Sequence, residues 1–396
     1  MALSWFVLAS FVSVVLGGNT HRSAPHGASQ GGYGGFPYGG DGGKRAWTHL
    51  DIRSLVTFGD SYTDESRLSY FIGHAGSPPP PGTILPVVRV SALALTETSR
   101  THSRASTDSA QSNNTASGGY IWDRYAAWYL SEQQHRSVDL YDYAVAGAVC
   151  SNEITPRYFA PINAPFPDVE GYEIPAFYAD YDTGVLKINP SSTAYAMWIG
   201  TNDLGAGAFL TDSQVAGKSV ADYLDCVYRA VDKLYASPIN ARYFVLMNIA
   251  PLQLVPMYQL PGVSNFELDY QNATATHYRM LEQVLLVNEA YEFRTQVYSQ
   301  LSQRWPGMHV ALYNVHDLLS DIYDDPAKYL NGTAPATSTG YVNHCNEDKT
   351  VCVRADSPDS YEWYDELHPS EQTDRIIANE FVNVVKGNSK YATYFS

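Results

Sequence analysis

The sequence is poor in basic residues and has no cluster of them. Its 396 residues include 25 Lys and Arg against 41 Asp and Glu, which gives a formal net charge of -16. A surface with this charge repels the phosphates of nucleic acids and of anionic membranes. We therefore expect neither a nucleic acid nor a membrane among the partners of the protein.

Long apolar stretches are also rare. Only residues 1–18, MALSWFVLASFVSVVLGG, combine an apolar run with small residues at its end, as a signal peptide does. The run lacks the usual positive charge at its start, and an uncleaved anchor is the alternative. It is, however, short for a bilayer about 30 Å thick. We expect cleavage near Gly17 or Gly18 and a secreted, extracellular protein.

There are only four cysteines, and neither a CxxC nor an HExxH motif that would indicate a zinc site. Cys345 and Cys352 lie close together in a polar segment and could form a small disulfide. Cys150 and Cys226 could then pair by default, with two buried free thiols as the alternative. Sequons that predict N-glycosylation, consistent with secretion, begin at Asn113, Asn272 and Asn331.

The chain divides into three parts by composition. After residues 1–18, residues 19–46 are rich in Gly, Ser and Pro and predict a flexible lead, because they cannot bury enough apolar surface. Residues 47–396 predict a single domain in which strands and helices alternate. The predicted strands are 53–58, 138–146, 193–200, 241–249 and 309–315, and the predicted helices are 119–134, 213–236, 271–304 and 370–386.

This alternation predicts an α/β fold with a parallel sheet, because parallel strands need crossover connections. In such sheets, functional sites form beyond the carboxyl ends of the strands. The irregular stretch 76–117 interrupts the alternation and is either functional or disordered.

Polar residues follow two of the predicted strands. Ser61, in LVTFGDSYTD, follows the first strand, where its oxygen and its own N–H would face the edge of the sheet. Asn202, in WIGTNDLG, follows the strand 193–200 and could stabilise an oxyanion without giving up a proton. Taken alone, Ser61 is more typical of a helix N-cap, and Asn202 is equally typical of an Asx turn. Asp64 could orient the turn after Ser61 or cap a helix.

Two further stretches supply the remaining groups of a hydrolytic site. In YDELHPSEQTDR, a tight loop would let Asp365 hold one nitrogen of His368 while the other nitrogen faces a serine. The alternative is a surface histidine before a helix that starts at a proline. In DYAVAGAVCSN, Gly147 would let the main chain approach a substrate closely and offer an N–H.

The four stretches in this order resemble the blocks of the SGNH, or GDSL-type, hydrolases. The matching residues are Ser61 in FGDSYTD, Gly147 in AVAGAV, Asn202 in GTND, and Asp365 with His368 in DELHP. The resemblance covers roughly residues 53–386. Within that superfamily the motifs are similar to those of secreted fungal acetylesterases of carbohydrate esterase family 16, although Tyr62 replaces the Leu of the tetrapeptide.

The resemblance implies a flavodoxin-like, three-layer α/β/α sandwich that removes acetyl groups from hemicellulose oligosaccharides. Ser61 would be the nucleophile, His368 the base and Asp365 its partner, while Ser61, Gly147 and Asn202 would form the oxyanion hole. We expect no metal or organic cofactor, an acetylated sugar or small ester as substrate, and a monomer. The alternatives are a lipase or longer-chain acyl esterase with the same residues, and a non-catalytic carbohydrate-binding wall protein.

Overall fold

The computed structural model of the protein describes residues 41–48, 50–85, 115–264, 272–346 and 351–396. The predicted signal peptide, most of the lead and the sequon at Asn113 lie outside these residues. The side chains of Asn272 and Asn331 are exposed, and their glycosylation stays a prediction. Across the described ranges, no helix is both long and apolar enough to cross a membrane.

Six strands form the central sheet. Their bounds are β1 Ser54–Gly59, β2 Asp139–Asp142, β3 Thr193–Trp198, β4 Tyr243–Met247, β5 His309–Tyr313 and β6 Ala392–Phe395. Their spatial order is β2-β1-β3-β4-β5-β6, and β1 to β5 are parallel. The order of the first five is that of flavodoxin-like folds. The predicted α/β class with a central parallel sheet is therefore confirmed.

The last strand differs from the prediction, which had only parallel strands. β6 is antiparallel to β5, with Ala392 opposite Tyr313 and Phe395 opposite Val310. The chain meets the carboxyl end of β5 first, where the N–H of Asn314 donates to the carbonyl oxygen of Tyr391 at 2.7 Å. It then runs back along β5 as a short edge strand.

Ten α-helices surround the sheet in the described residues. They are α1 Asp41–Thr48, α2 Arg67–Gly73, α3 Trp122–Gln134, α4 Ile174–Thr183, α5 Thr201–Leu204, α6 Val220–Tyr235, α7 Ala273–Gln296, α8 Val315–Asp324, α9 Pro326–Tyr329 and α10 Glu371–Val385. Helices α3 and α10 pack against each other, whereas α6 packs against both α4 and α7. The helices thus form separate groups.

Neighbouring residues of β1 show that these groups lie on opposite faces of the sheet. The hydroxyl of Thr57 donates to Asp123 of α3 at 2.8 Å. The ring of Phe58 meets that of Phe177 of α4 edge to face, with centroids 5.7 Å apart. Because successive side chains of a strand point to opposite faces, α3 and α4 cover different sides. This makes the three layers α/β/α, and every residue of β1 and β3 is buried between them.

Helix α1 lies partly in the segment 19–46 that was predicted to be flexible. Trp47 near its end is fully buried, and its ring meets that of Tyr243 edge to face at 5.3 Å. The backbone at Gly43 lies so close to Tyr394 that an added Cβ would be 2.8 Å from its carbonyl oxygen. Ordered structure therefore begins before residue 47, because one large apolar side chain anchors a short helix against β4 and β6.

The four cysteines form two disulfides, Cys150–Cys226 and Cys345–Cys352. The first links the segment after β2 to α6. The second joins the two short strands of a hairpin, in which Cys345 and Cys352 are directly opposite each other. All four lie in the described part of the chain, and none of them is a free thiol.

Candidate active site

Ser61 lies in a tight turn directly after β1, at the carboxyl edge of the sheet. Asp60 organises this turn, because its carboxylate accepts the N–H of Tyr62 at 3.1 Å. Gly59 is required just before it, since an added Cβ would lie 2.3 Å from the carbonyl oxygen of Trp198 in β3. The turn places Ser61 at the edge of the sheet, where the residue is largely buried and keeps 7% of its surface exposed.

His368 reaches Ser61 from 307 residues further along the chain. Its Nε2 lies 2.9 Å from the Oγ of Ser61. Its Nδ1 lies 2.9 and 3.0 Å from the two carboxylate oxygens of Asp365. A proton on Nδ1 is then donated to Asp365, so Nε2 is free to accept the proton of the serine hydroxyl. The structure thus brings Ser61, Asp365 and His368 together in hydrogen-bonding order.

The loop that carries His368 also holds Asp365 in its charged form. Burial alone would raise the pKa of Asp365, but His368 and the N–H groups of Leu367 and His368, at 2.9 and 2.8 Å, lower it below its usual range. Burial would likewise lower the pKa of His368, yet the negative charge of Asp365 outweighs it and raises this pKa above 6.5. A strengthened base is what proton abstraction from a serine needs.

A second carboxyl group belongs to Asp60, the residue just before the nucleophile. Burial raises the pKa of Asp60 to about 6, although the N–H of Tyr62 and the charge of His368 both oppose this increase. Near neutral pH, Asp60 is therefore ionised in the folded protein, and its charge adds to that of Asp365 in raising the pKa of His368.

Gly147 and Ser61 each present an N–H at the site. Gly147 has φ +87°, a conformation that favours glycine, and an added Cβ would meet the ring of Phe166 at 2.4 Å. The N–H groups of both neighbouring residues already have partners. That of Ala146 donates to Asp64 at 2.8 Å, and that of Ala148 donates to a carbonyl oxygen at 2.9 Å. Within the described residues, neither the N–H of Gly147 nor that of Ser61 donates to a protein group. Both are available to an oxyanion.

Asn202 lies in α5, just after β3, and its amide group is held on both sides. Its Nδ2 donates one hydrogen to the carbonyl oxygen of Ala148 at 2.8 Å. Its Oδ1 accepts from Nη1 of Arg157. An amide nitrogen carries two hydrogens, so the second N–H of Asn202 is left to serve as the third donor of the oxyanion hole, beside the Gly147 segment. The three predicted oxyanion donors thus come from turns after β1, β2 and β3.

Asp64 connects two of these turns. Its carboxylate accepts the N–H groups that start α2, from Ser66, Arg67 and Leu68, at 2.6 to 2.9 Å. The same carboxylate accepts the N–H of Ala146 at 2.8 Å. The sequence left open whether Asp64 orients the turn or caps a helix, and in the structure it does both.

Tyr62 connects the turn that carries Ser61 to the loop that carries His368. Its hydroxyl donates to the carbonyl oxygen of Leu367 at 2.7 Å. Its ring meets the imidazole of His368 at 5.7 Å between centroids. From the sequence, Tyr62 was noted only because it replaces the Leu of the tetrapeptide, and no role was predicted for it.

Asp203 anchors the segment that follows Gly147, and sequence reasoning missed it. Its carboxylate accepts the N–H of Cys150 at 3.1 Å and the hydroxyl of Thr155 at 2.8 Å. Burial raises its pKa to about 7. The only signal for it was its position next to Asn202. Across the described ranges, no group of three or more His, Cys, Asp or Glu side chains is placed to hold a metal ion.

A comparison with known families decides the assignment. Residues 55–381 match the model of the GDSL-like lipase/acylhydrolase family. The chain belongs to this family. It is 38% identical over 356 residues to an acetylesterase of Hypocrea jecorina, which covers 88% of this chain and 92% of the relative. A GDSL esterase/lipase of Arabidopsis thaliana is 24% identical over 205 residues, 48% of each chain.

Among solved structures, the acetylxylan esterase Axe2 of Geobacillus stearothermophilus has a TM-score of 0.37 at 12% identity and covers 85% of this chain and 96% of its own. A lipase/acylhydrolase of Enterococcus faecalis has a TM-score of 0.34 at 10% identity, with 86% and 98% covered. Both TM-scores are below 0.5, and the fold assignment rests on the sheet topology itself. The family membership makes the protein a carboxylic ester hydrolase, which removes the alternative of a non-catalytic wall protein.

Proposed function

We propose that this GDSL hydrolase is a secreted serine esterase that removes acetyl groups from carbohydrate esters. The observation that carries the proposal is the 2.9 Å contact between Nε2 of His368 and Oγ of Ser61, with Asp365 on the other ring nitrogen. Such an arrangement suits acyl transfer through a covalent intermediate on the serine.

In the first step, His368 takes the proton of Ser61 while the oxygen of the serine attacks the acetyl carbonyl carbon. The negative charge on the carbonyl oxygen is stabilised by the N–H groups of Ser61 and Gly147 and by the amide of Asn202. Asp365 stabilises the imidazolium that forms. The imidazolium then protonates the departing sugar oxygen and leaves an acetyl ester on Ser61.

In the second step, water replaces the sugar hydroxyl. His368 takes a proton from the water, whose oxygen attacks the acetyl carbonyl, and the same three donors hold the oxyanion. Return of the proton to Ser61 releases acetate. The protein's own side chains account for every proton transfer in the two steps.

The acetyl group is proposed because the relative that spans most of this chain is named an acetylesterase. The sugar is proposed from the resemblance in sequence and from the aromatic rings beside the oxyanion hole. Phe166 lies over Gly147 and stacks on Phe159 with centroids 4.3 Å apart, and Tyr158 beside them is 64% exposed. Aromatic faces of this kind pack well against the apolar faces of sugar rings.

Secretion is proposed from the apolar residues 1–18 and the sequons. The two disulfides support it, because disulfides persist mainly in oxidising compartments. A lipase or longer-chain esterase remains a second candidate, since the Arabidopsis relative is named an esterase/lipase. Acyl length depends on the shape of the pocket and not on the catalytic residues.

The test measures kcat/KM for acetyl, butyryl and palmitoyl esters of one alcohol, and acetate release from acetylated xylo-, manno- and cello-oligosaccharides. We expect the acetyl ester to be preferred and at least one oligosaccharide to be deacetylated. The Ser61→Ala variant, folded by circular dichroism, should release no acetate. A preference for the palmitoyl ester would contradict the proposal in favour of a lipase, and full activity of Ser61→Ala would contradict the site itself.

A further inference from the structure

We infer that Arg157 is a positioning residue for the oxyanion hole, acting through the amide group of Asn202. The inference rests on the proposed serine esterase mechanism and adds a residue to it. Arg157 belongs to none of the motifs that identify the family in this sequence.

Arg157 contacts two of the three residues of the oxyanion hole, Gly147 and Asn202. Its Nη1 donates to Oδ1 of Asn202 and, at 3.3 Å, to the carbonyl oxygen of Gly147. The rest of the residue is held in place by Phe166, whose N–H donates to the carbonyl oxygen of Arg157 at 2.9 Å. The guanidinium also lies over the Phe166 ring, 5.4 Å from its centroid. One side chain thus connects the turns after β2 and β3.

The contact of Arg157 with Asn202 selects, together with the carbonyl oxygen of Ala148, which end of the amide faces the substrate. A side-chain amide has an acceptor and a donor end of nearly the same shape, and rotation by half a turn exchanges them. A guanidinium can only donate, so it selects the oxygen of Asn202 for its own side. The nitrogen must then lie towards Ala148 and the oxyanion. Without Arg157, one of the two contacts that oppose a half-turn of the amide is lost, and such a rotation would place an oxygen against the developing negative charge.

A salt bridge does not explain the position of this arginine. In the described part of the chain, it forms no ion pair with a carboxylate, unlike Arg124, which pairs with Glu65. Burial lowers the pKa of Arg157, but an arginine remains protonated in proteins. The carboxylates of Asp60 and Asp203 are near enough to act on its charge, but its hydrogen bonds go to two neutral oxygens, Oδ1 of Asn202 and the carbonyl oxygen of Gly147. A charge-assisted bond of this kind is stronger than a neutral one, which suits it to orient an amide.

The test is a double-mutant cycle with Arg157→Met and Asn202→Ala, assayed on 4-nitrophenyl acetate. Arg157→Met should lower kcat about 10- to 100-fold with KM little changed, the range expected when a charge-assisted hydrogen bond is lost. Asn202→Ala should lower kcat by about 10² to 10³. Because Arg157 acts through Asn202, the double variant should be no slower than Asn202→Ala alone.

Two controls keep the outcome clear. Arg53→Met removes an exposed arginine just before β1, at the end of the strand remote from Ser61, and should leave kcat unchanged. Arg157→Ala should recover kcat when millimolar guanidinium is added, whereas Asn202→Ala should not, which separates positioning from misfolding.

Multiplicative losses in the double variant would overturn the inference, because Arg157 would then act independently of Asn202. A wild-type kcat for Arg157→Met would also overturn it. Either result leaves the proposed esterase intact as long as the wild type is active and Ser61→Ala is not. A rise in KM alone would mean that Arg157 binds substrate and would likewise contradict a positioning role.

Discussion

The hydrogen bond between Tyr62 and the loop that carries His368 predicts that removing the Tyr62 hydroxyl group lowers kcat. Tyr62 is 1% exposed, and its hydroxyl donates to the carbonyl oxygen of Leu367, the residue before His368, at 2.7 Å. Tyr62→Phe keeps the ring and its contact with the imidazole. It leaves the Leu367 carbonyl without this donor, so the loop gains freedom to move His368 away from Ser61.

The magnitude follows from the cost of an unsatisfied polar group. Leaving a largely buried acceptor without its partner costs about 1–3 kcal/mol. If about 1–2 kcal/mol of this appears in the transition state, kcat falls about 5- to 30-fold. The assay is steady-state hydrolysis of an acetyl ester at several pH values, together with thermal unfolding of each variant.

Tyr394→Phe is the matched control for Tyr62→Phe. Tyr394 is also 1% exposed, and its hydroxyl donates to the carbonyl oxygen of Val384 at 2.9 Å, in the edge strand β6 against α10. We expect similar losses of thermal stability in the two variants but a fall in kcat only for Tyr62→Phe. Equal kcat values for the two variants would refute the reasoning.

Three further predictions concern pH and stability. Asp365→Asn removes the charge that raises the pKa of His368, so the acid limb of kcat/KM should move to lower pH than in the wild type while kcat falls. The pH–rate profiles of both proteins measure this. Burial, and then the charge of a nearby glutamate, raises the pKa of Asp123 to about 8. The folded protein therefore binds this proton more tightly than the unfolded chain, and the resulting stabilisation is full below about pH 4 and lost as the pH rises through about 8. Urea unfolding at about pH 5 and about pH 8 should show the larger free energy at the lower pH, and Asp123→Asn should reduce the difference. Replacing Cys150 and Cys226 with Ala opens a loop with a sequence separation of 76, which should lower the free energy of unfolding by about 4.5 kcal/mol on a chain-entropy basis. Replacing Cys345 and Cys352, with a separation of 7, should lower it by about 2.4 kcal/mol. Guanidinium unfolding measures both losses.

The sequence predicted the strands of the parallel sheet and the residues at their carboxyl ends. Buried strands such as β1 and β3 read as near-continuous apolar runs, and each is followed within a few residues by polar residues, among them Ser61 and Asn202. Because parallel strands present their carboxyl ends at one edge, polar residues at those ends can be expected to converge. The Asp-x-x-His spacing of residues 365 and 368 was recognisable for a different reason, because a local turn joins the two residues.

The groups that hold the site in place could not be predicted in this way. Arg157 and Tyr62 act on residues 45 and 305 positions away, so their roles depend on tertiary contacts and have no local pattern. Helix α1 was missed because a single Trp47 anchors a segment of low apolar content. Strand β6 was missed because it is only four residues long and pairs with β5 as an edge strand, so its pattern is too short to stand out.

Covalent labelling of Ser61 tests the central claim most directly. Diisopropyl fluorophosphate should form one adduct, and peptide mass spectrometry should place it on Ser61, because His368 at 2.9 Å makes this hydroxyl nucleophilic. The rate of labelling should follow the acid limb of kcat/KM and fall at least about 100-fold in His368→Ala. An adduct on another residue, or an unchanged labelling rate in His368→Ala, would contradict the account.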